Sequence, residues 1–185
     1  MPRFIMDLKL PFHNQSFPNG YELINGAERH KELGARFQIP PLCLKAHVHV
    51  GHFVELRVDS DRFSAHPDAP EQCACDYCNE ITSKPVLCHE HPASMFPVPT
   101  QKVPSRGWGE QFWLRVTRRR GDYFQGTIDN TLHETPLHEL QRGAAVIFHG
   151  DHILAIHQEH YRDILLAMNE EEHRAMEAWI RQSMD

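Results

Sequence analysis

The 185-residue sequence contains no apolar run approaching the length that crosses a bilayer. Its first residues, Met-Pro-Arg-Phe-Ile-Met-Asp, lack the layout of a secretory signal. Positive charge is also short: 19 Lys and Arg stand against 25 Asp and Glu, a formal net charge of −6. That balance disfavours coating of nucleic acid or of an anionic membrane. Gly107-Trp-Gly109 is followed by neither a helix nor a lysine, so no glycine loop suits phosphates, and no Gly-x-Ser-x-Gly elbow is present. What remains is a chain of 41% hydrophobic residues with 13 prolines, enough for a real core in a loop-rich fold.

The five cysteines are unevenly placed. Cys73, Cys75, Cys78 and Cys88 crowd into one stretch with His89 and His91. Zinc takes four soft or borderline ligands in a tetrahedron, commonly as two pairs from two tight turns. Cys75-x2-Cys78 fits one turn and Cys88-x2-His91 the other, with Cys73 the alternative fourth ligand. Four such ligands leave no open position, so the expected Zn2+ is structural. Clustered thiols also suit a metal in a reducing compartment better than a disulfide framework, which points to the cytoplasm. An iron–sulfur cluster is the other occupant such thiols accept.

Three further groups invite chemical readings. His47, His49 and His52, with Glu55, are similar to a cupin metal signature, but the glutamate is displaced and Arg62 stands where the pattern has glycine; a strand edge explains them without metal. His149, His152, His157 and His160 suit turns and caps in a chain with 15 histidines. Arg118, Arg119 and Arg120 form a basic hairpin tip near Trp113, Tyr123 and Phe124, which either stacks on a nucleic-acid strand or is simply solvated.

Periodicity and punctuation divide the chain. Residues 1–58 read as an irregular or extended arm, a short helix within Tyr21 to Leu33, best over Ala27 to Leu33 and stopped by Gly34, and a first strand from His52 to Val58 in which Phe53 breaks the polar face. Residues 59–109 lack periodicity and hold the cysteines, so a metal is expected to order them. Residues 110–157 carry two expected hairpins: Gln111–Thr117 with Asp122–Asp129 about an Arg118–Gly121 turn, and Ala144–Phe148 with Ile153–Ile156. Residues 158–185 are helical, with Asn169 and Glu172 forming a capping box where one helix gives way to the next.

Several strand motifs recur in a fixed order: Gly51-His-Phe-Val54-Glu-Leu56, Glu110-Gln-Phe-Trp113-Leu-Arg-Val116, Gly126-Thr-Ile-Asp-Asn130, Leu140-Gln-Arg-Gly143-Ala-Ala-Val146-Ile-Phe148 and His152-Ile-Leu-Ala-Ile156. Over residues 37–157, apart from the cysteine segment, this order resembles the YegJ-like family of small bacterial domains of unknown function. Ala144 replaces the family's aspartate, and the proline near Asn130 is displaced to Pro136. The resemblance implies a small, strongly bent antiparallel sheet and brings no activity with it.

The resulting expectation is an α+β protein: a strongly bent antiparallel sheet or small open barrel, an inserted metal ribbon and a C-terminal helix. Its expected role is a zinc-stabilised, non-enzymatic module for a protein partner. A metal-dependent enzyme at His47, His49 and His52 is the first alternative, and nucleic-acid binding through the ribbon and the Arg118–Arg120 tip is the second.

Overall fold

A computed structural model describes residues 7–60 and 109–184. Its frame is a mostly antiparallel, nearly closed, barrel-like sheet followed by a C-terminal helical segment. The strands are β1 (Tyr21–Leu23), β2 (Phe53–Ser60), β3 (Glu110–Arg120), β4 (Tyr123–Ile128), β5 (Ala145–His149) and β6 (Ala155–Ile156). They pair in the order β1-β2-β3-β4-β5, and β6 returns to pair with β2. Alternation decides the faces. Val54, Leu56 and Val58 on β2, with Phe112, Leu114 and Val116 on β3, enter one core with Phe124, Val146, Phe148 and Ile156. Phe53, Glu55 and Arg57 turn to the outer face, opposite Arg115, Trp113 and Gln111 in register.

β2 and β3 pair from Phe53↔Arg115 to Val58↔Glu110, so the chain leaves and re-enters the sheet at the same end. Residues 61–108 between them lie outside the described ones, Cys73, Cys75, Cys78, Cys88 and His91 included.

Two hairpin expectations change. Strand β3 runs through Arg118 and Arg119 to Arg120, and the turn is Gly121–Asp122. A register shift between Val116 and Arg118 inserts Thr117 as a bulge, which reverses the alternation beyond it. The segments Ala144–Phe148 and Ile153–Ile156 do not pair with each other: β5 pairs with β4, and β6 with β2 through Val54↔Ile156 and Glu55↔Ala155. A 3-10 turn, Gly150–His152, redirects the chain between them.

This return nearly closes the barrel and leaves the free edge of β5 to be covered. The Gln15 side chain covers it, donating to the Ile147 carbonyl and accepting from the Ile147 amide, both at 2.8 Å. The arm that carries Gln15 is not irregular throughout. It forms α1 (Lys9–Asn14), because Pro11 falls in the first turn, where a missing N–H breaks no helical bond.

Helix α2 (Gly26–Leu33) begins where Asn25 accepts the Glu28 amide and ends at Gly34, whose φ is +60. A short helix α3 (Leu42–Lys45) follows. Residues Thr135–His138 form α4, Tyr161–Ala167 α5 and Glu170–Met184 α6. The last break is capped as its spacing predicts. Asn169 Oδ1 accepts the amides of Glu171 and Glu172, and Glu172 Oε2 accepts the amide of Asn169.

Candidate binding site on the outer sheet face

The histidines of the first alternative lie in the turns before β2, not on a strand. His47 is drawn away to Glu172, Nε2 to Oε1 at 3.0 Å. His49 and His52 place their ring centroids 3.6 Å apart, and His52 stacks on His160 at 4.4 Å with planes 21° apart. Imidazole nitrogens bind metal in the plane of the ring, so near-parallel stacked rings aim their lone pairs side by side. Among the described residues, no group of three or more His, Cys, Asp or Glu is placed to hold a metal ion.

His52 is a packing group. It is buried at 4% exposure. Burial first, then the nearness of His49 and His160, brings its pKa down to about 4 against the pull of Asp163. The remaining histidines act largely as caps. His149 Nδ1 accepts the Asp151 amide, His157 Nδ1 accepts the Glu159 amide, and His160 Nε2 accepts the Phe53 amide at 2.9 Å.

The arginine tip is partly consumed by the fold. Beyond the bulge, Arg119 faces Phe124 in register, its guanidinium carbon 5.1 Å from the ring centroid. The same group donates to the carbonyls of Ala46 at 2.7 Å, Val48 and Gly121. Arg118 and Arg120 are left from the basic run.

Across the middle of the outer face lies a cavity of about 300 Å³ lined by Phe53, Trp113, Asp129, Asn130, His157 and Glu159. Four segments that are distant in sequence build it through backbone pairing. The Trp113 amide donates to Asn130 Oδ1 at 2.7 Å, and the Asp129 amide donates to the Trp113 carbonyl at 2.9 Å. The His157 amide donates to the Phe53 carbonyl at 3.0 Å. Trp113 and His157 meet edge to face, centroids 5.4 Å apart and planes at 80°. Phe53 and His157 meet at 6.4 Å and 65°.

No family model matches this chain, and neither does any curated protein or solved structure.

The site is thus judged on its own chemistry. It offers aromatic walls and two exposed carboxylates. Glu55, half-buried opposite Trp113 in register, is not part of the lining, and burial pushes its carboxyl up. Among the described residues that line the cavity, none is a nucleophile paired to a base. A second cavity, about 340 Å³, lies under the arm between Phe12, Gln15, Phe17, Tyr21 and His152. Its lining is tied up in the fold, because Phe12 packs on Tyr123 and His152, and Gln15 holds the β5 edge. Sequence reasoning registered Phe53 as an apolar residue on a polar face and Trp113 as an aromatic near the basic tip. It missed their convergence, because the register and the return of His157 to β2 are long-range facts.

Proposed function

We propose that this protein is a non-enzymatic binding module that takes a protein partner on the outer sheet face around Trp113, with a structural zinc ion in the cysteine segment. The outer-face cavity carries the reading. Its Trp and Phe walls are the residue types that anchor protein interfaces, and its position on paired strands means little ordering is needed on binding. The stacking of His52 on His160 and the structural use of Arg119 count against the enzyme and nucleic-acid alternatives.

The zinc assignment rests on the spacing of Cys75, Cys78, Cys88 and His91. It predicts about one zinc per chain, as four-ligand structural sites hold, lost in Cys78→Ala or Cys88→Ala and kept in Cys73→Ala. Loss in Cys73→Ala with retention in His91→Ala replaces that set with the all-sulfur one. Thiolate ligation places the protein in a reducing compartment, the cytoplasm on this reading.

The partner face is tested by photo-crosslinking in cells. A benzophenone amino acid at Gln158, exposed beside the cavity, is compared with one at Glu32 on α2. A discrete protein adduct from position 158 alone, abolished by Trp113→Ala, is the expected result. An adduct indifferent to Trp113, or none, overturns the proposed face.

A further inference from the structure

We propose that the outer-face cavity receives a lysine side chain of the protein partner, its ammonium enclosed by Trp113, Phe53 and His157 and matched by the carboxylates of Asp129 and Glu159. The inference rests on the protein-binding reading and names the chemistry that reading leaves open.

Wall geometry is the first argument. Rings at 80° and 65° to His157 make a corner, not a flat plate. A corner of rings surrounds a compact cation from more than one side, and aromatic faces attract cations through their quadrupole. A planar guanidinium gains most by lying flat on one ring, which a corner does not favour. The volume of about 300 Å³ is at the small end of ligand sites and suits one extended side chain.

Charge is the second argument. Asp129 and Glu159 are exposed at the cavity, and among the described residues no lysine or arginine lines it. Arg115 stands opposite Phe53 in register yet is not part of the lining. Asn130 Oδ1 is committed to the Trp113 amide, so an incoming ammonium finds its acceptors in the carboxylates. A carboxylate beside an aromatic corner is a pairing that a neutral apolar ligand would leave unsatisfied.

Pre-organisation is the third argument. The backbones of Phe53, Trp113 and His157 are fixed by strand-type hydrogen bonds, and Phe53 is further pinned through its amide to His160. The ligand need order little besides itself.

The experiment is an NMR titration of the isotope-labelled full-length chain with Nα-acetyl-lysine methylamide, its Nε-acetylated form and the arginine analogue. The lysine compound is expected to shift the Trp113 indole and Asn130 side-chain amide signals with a Kd on the order of millimolar. Affinity should fall roughly tenfold in Asp129→Asn/Glu159→Gln and again at 0.5 M salt. Trp113→Ala, which identifies one indole among the 3 tryptophans, should abolish the response.

Absent shifts, equal shifts from the neutral Nε-acetyl compound, or stronger shifts from the arginine analogue would each overturn the lysine assignment. A Trp113-dependent cross-link at position 158 without lysine shifts would sink only this inference. Lysine shifts without any cross-link would sink the protein-partner reading and leave ammonium recognition standing.

Discussion

His138, fully buried at 0% exposure, donates its Nε2 proton to Glu110 across 3.0 Å, while its Nδ1 accepts the amide of Leu140. The Leu140 contact fixes the tautomer, because the accepting nitrogen carries no proton. Glu110 also accepts the amides of His133 and Glu134. One carboxylate at the start of β3 therefore anchors the loop and helix α4 that follow β4.

Replacing Glu110 by Gln should cost roughly 1–3 kcal/mol, since the amide NH2 meets the His138 donor and the charge-assisted bonds are lost. Burial opposes the Glu110 charge, but the bonds from His133, Glu134 and His138 outweigh it and hold the carboxyl below its usual 4.5. A depressed carboxyl stabilises fully above the unfolded value and loses that contribution as pH falls through the folded one. Urea unfolding of wild type and Glu110→Gln should show a gap at pH 7 that narrows on acidification below 4.5. A gap independent of pH would mean that shape, not charge, matters at this position.

His52 gives a second acid dependence with a different window. The unfolded side chain takes a proton near 6.5, whereas the folded one resists until about 4. Between those values the unfolded chain holds more protons, so stability falls as the pH falls, by up to about 1.4 kcal/mol per unit. The groups facing it are His49, His160 and Asp163. His52→Phe keeps an aromatic ring in the stack and removes the proton site. Its unfolding midpoint should drop less than that of wild type between pH 7 and pH 5; parallel losses would put the proton elsewhere.

These two sites show what local sequence signals reach. Asn25, Gly34 and the Asn169–Glu172 box mark helix ends by interactions within a few residues, and each is found where spacing places it. Alternation likewise gave β2 and the core half of β3. The misread elements depend on partners far away. Ile153–Ile156 has the composition of a hairpin arm, yet β2 offers it a better edge. Thr117 gives no sign of a bulge; the shift appears only in pairing with β4, where Gly126 admits the close approach of Leu114. Glu110, Asn130 and His152 stand out as polar residues within strand motifs, and all three prove to be hydrogen-bonding anchors. The cavity needed Phe53, Trp113 and His157 brought together by two such long-range pairings.

Lys45 at the end of α3 is a cation against the grain of the core, 6% exposed and with no hydrogen bond from its ammonium among the described residues. Burial lowers its pKa from 10.5 to about 8, with Asp151 pulling the other way. Below about 8 both folded and unfolded chains carry the charge, and the desolvation cost is present in full. Between 8 and 10.5 the unfolded chain holds the extra proton, so stability rises with pH. Lys45→Met should therefore stabilise at pH 7 by on the order of 1–3 kcal/mol and lose that advantage near pH 10. A destabilised variant in thermal melts at pH 7 would mean that the ammonium makes interactions worth more than its burial costs.

Arg119 separates a structural arginine from a recognition arginine within one run of three. Its guanidinium joins the turn at Ala46 and Val48 to the β3–β4 hairpin and lies over Phe124. Arg119→Ala should cost roughly 2–4 kcal/mol, from hydrogen bonds of a charged donor and a cation–π contact. Arg119→Lys should recover only part of it, because an ammonium cannot reproduce the fork that reaches several carbonyls at once. Exposed Arg120→Ala, by contrast, should change stability by less than about 0.5 kcal/mol. Urea midpoints of the three variants decide the point. Equal, small effects would free all three arginines for an external ligand and restore the basic tip as a nucleic-acid contact. The expected large gap between positions 119 and 120 means that an arginine-to-alanine loss of nucleic-acid binding at position 119 would report unfolding, so only Arg118 and Arg120 can test that role.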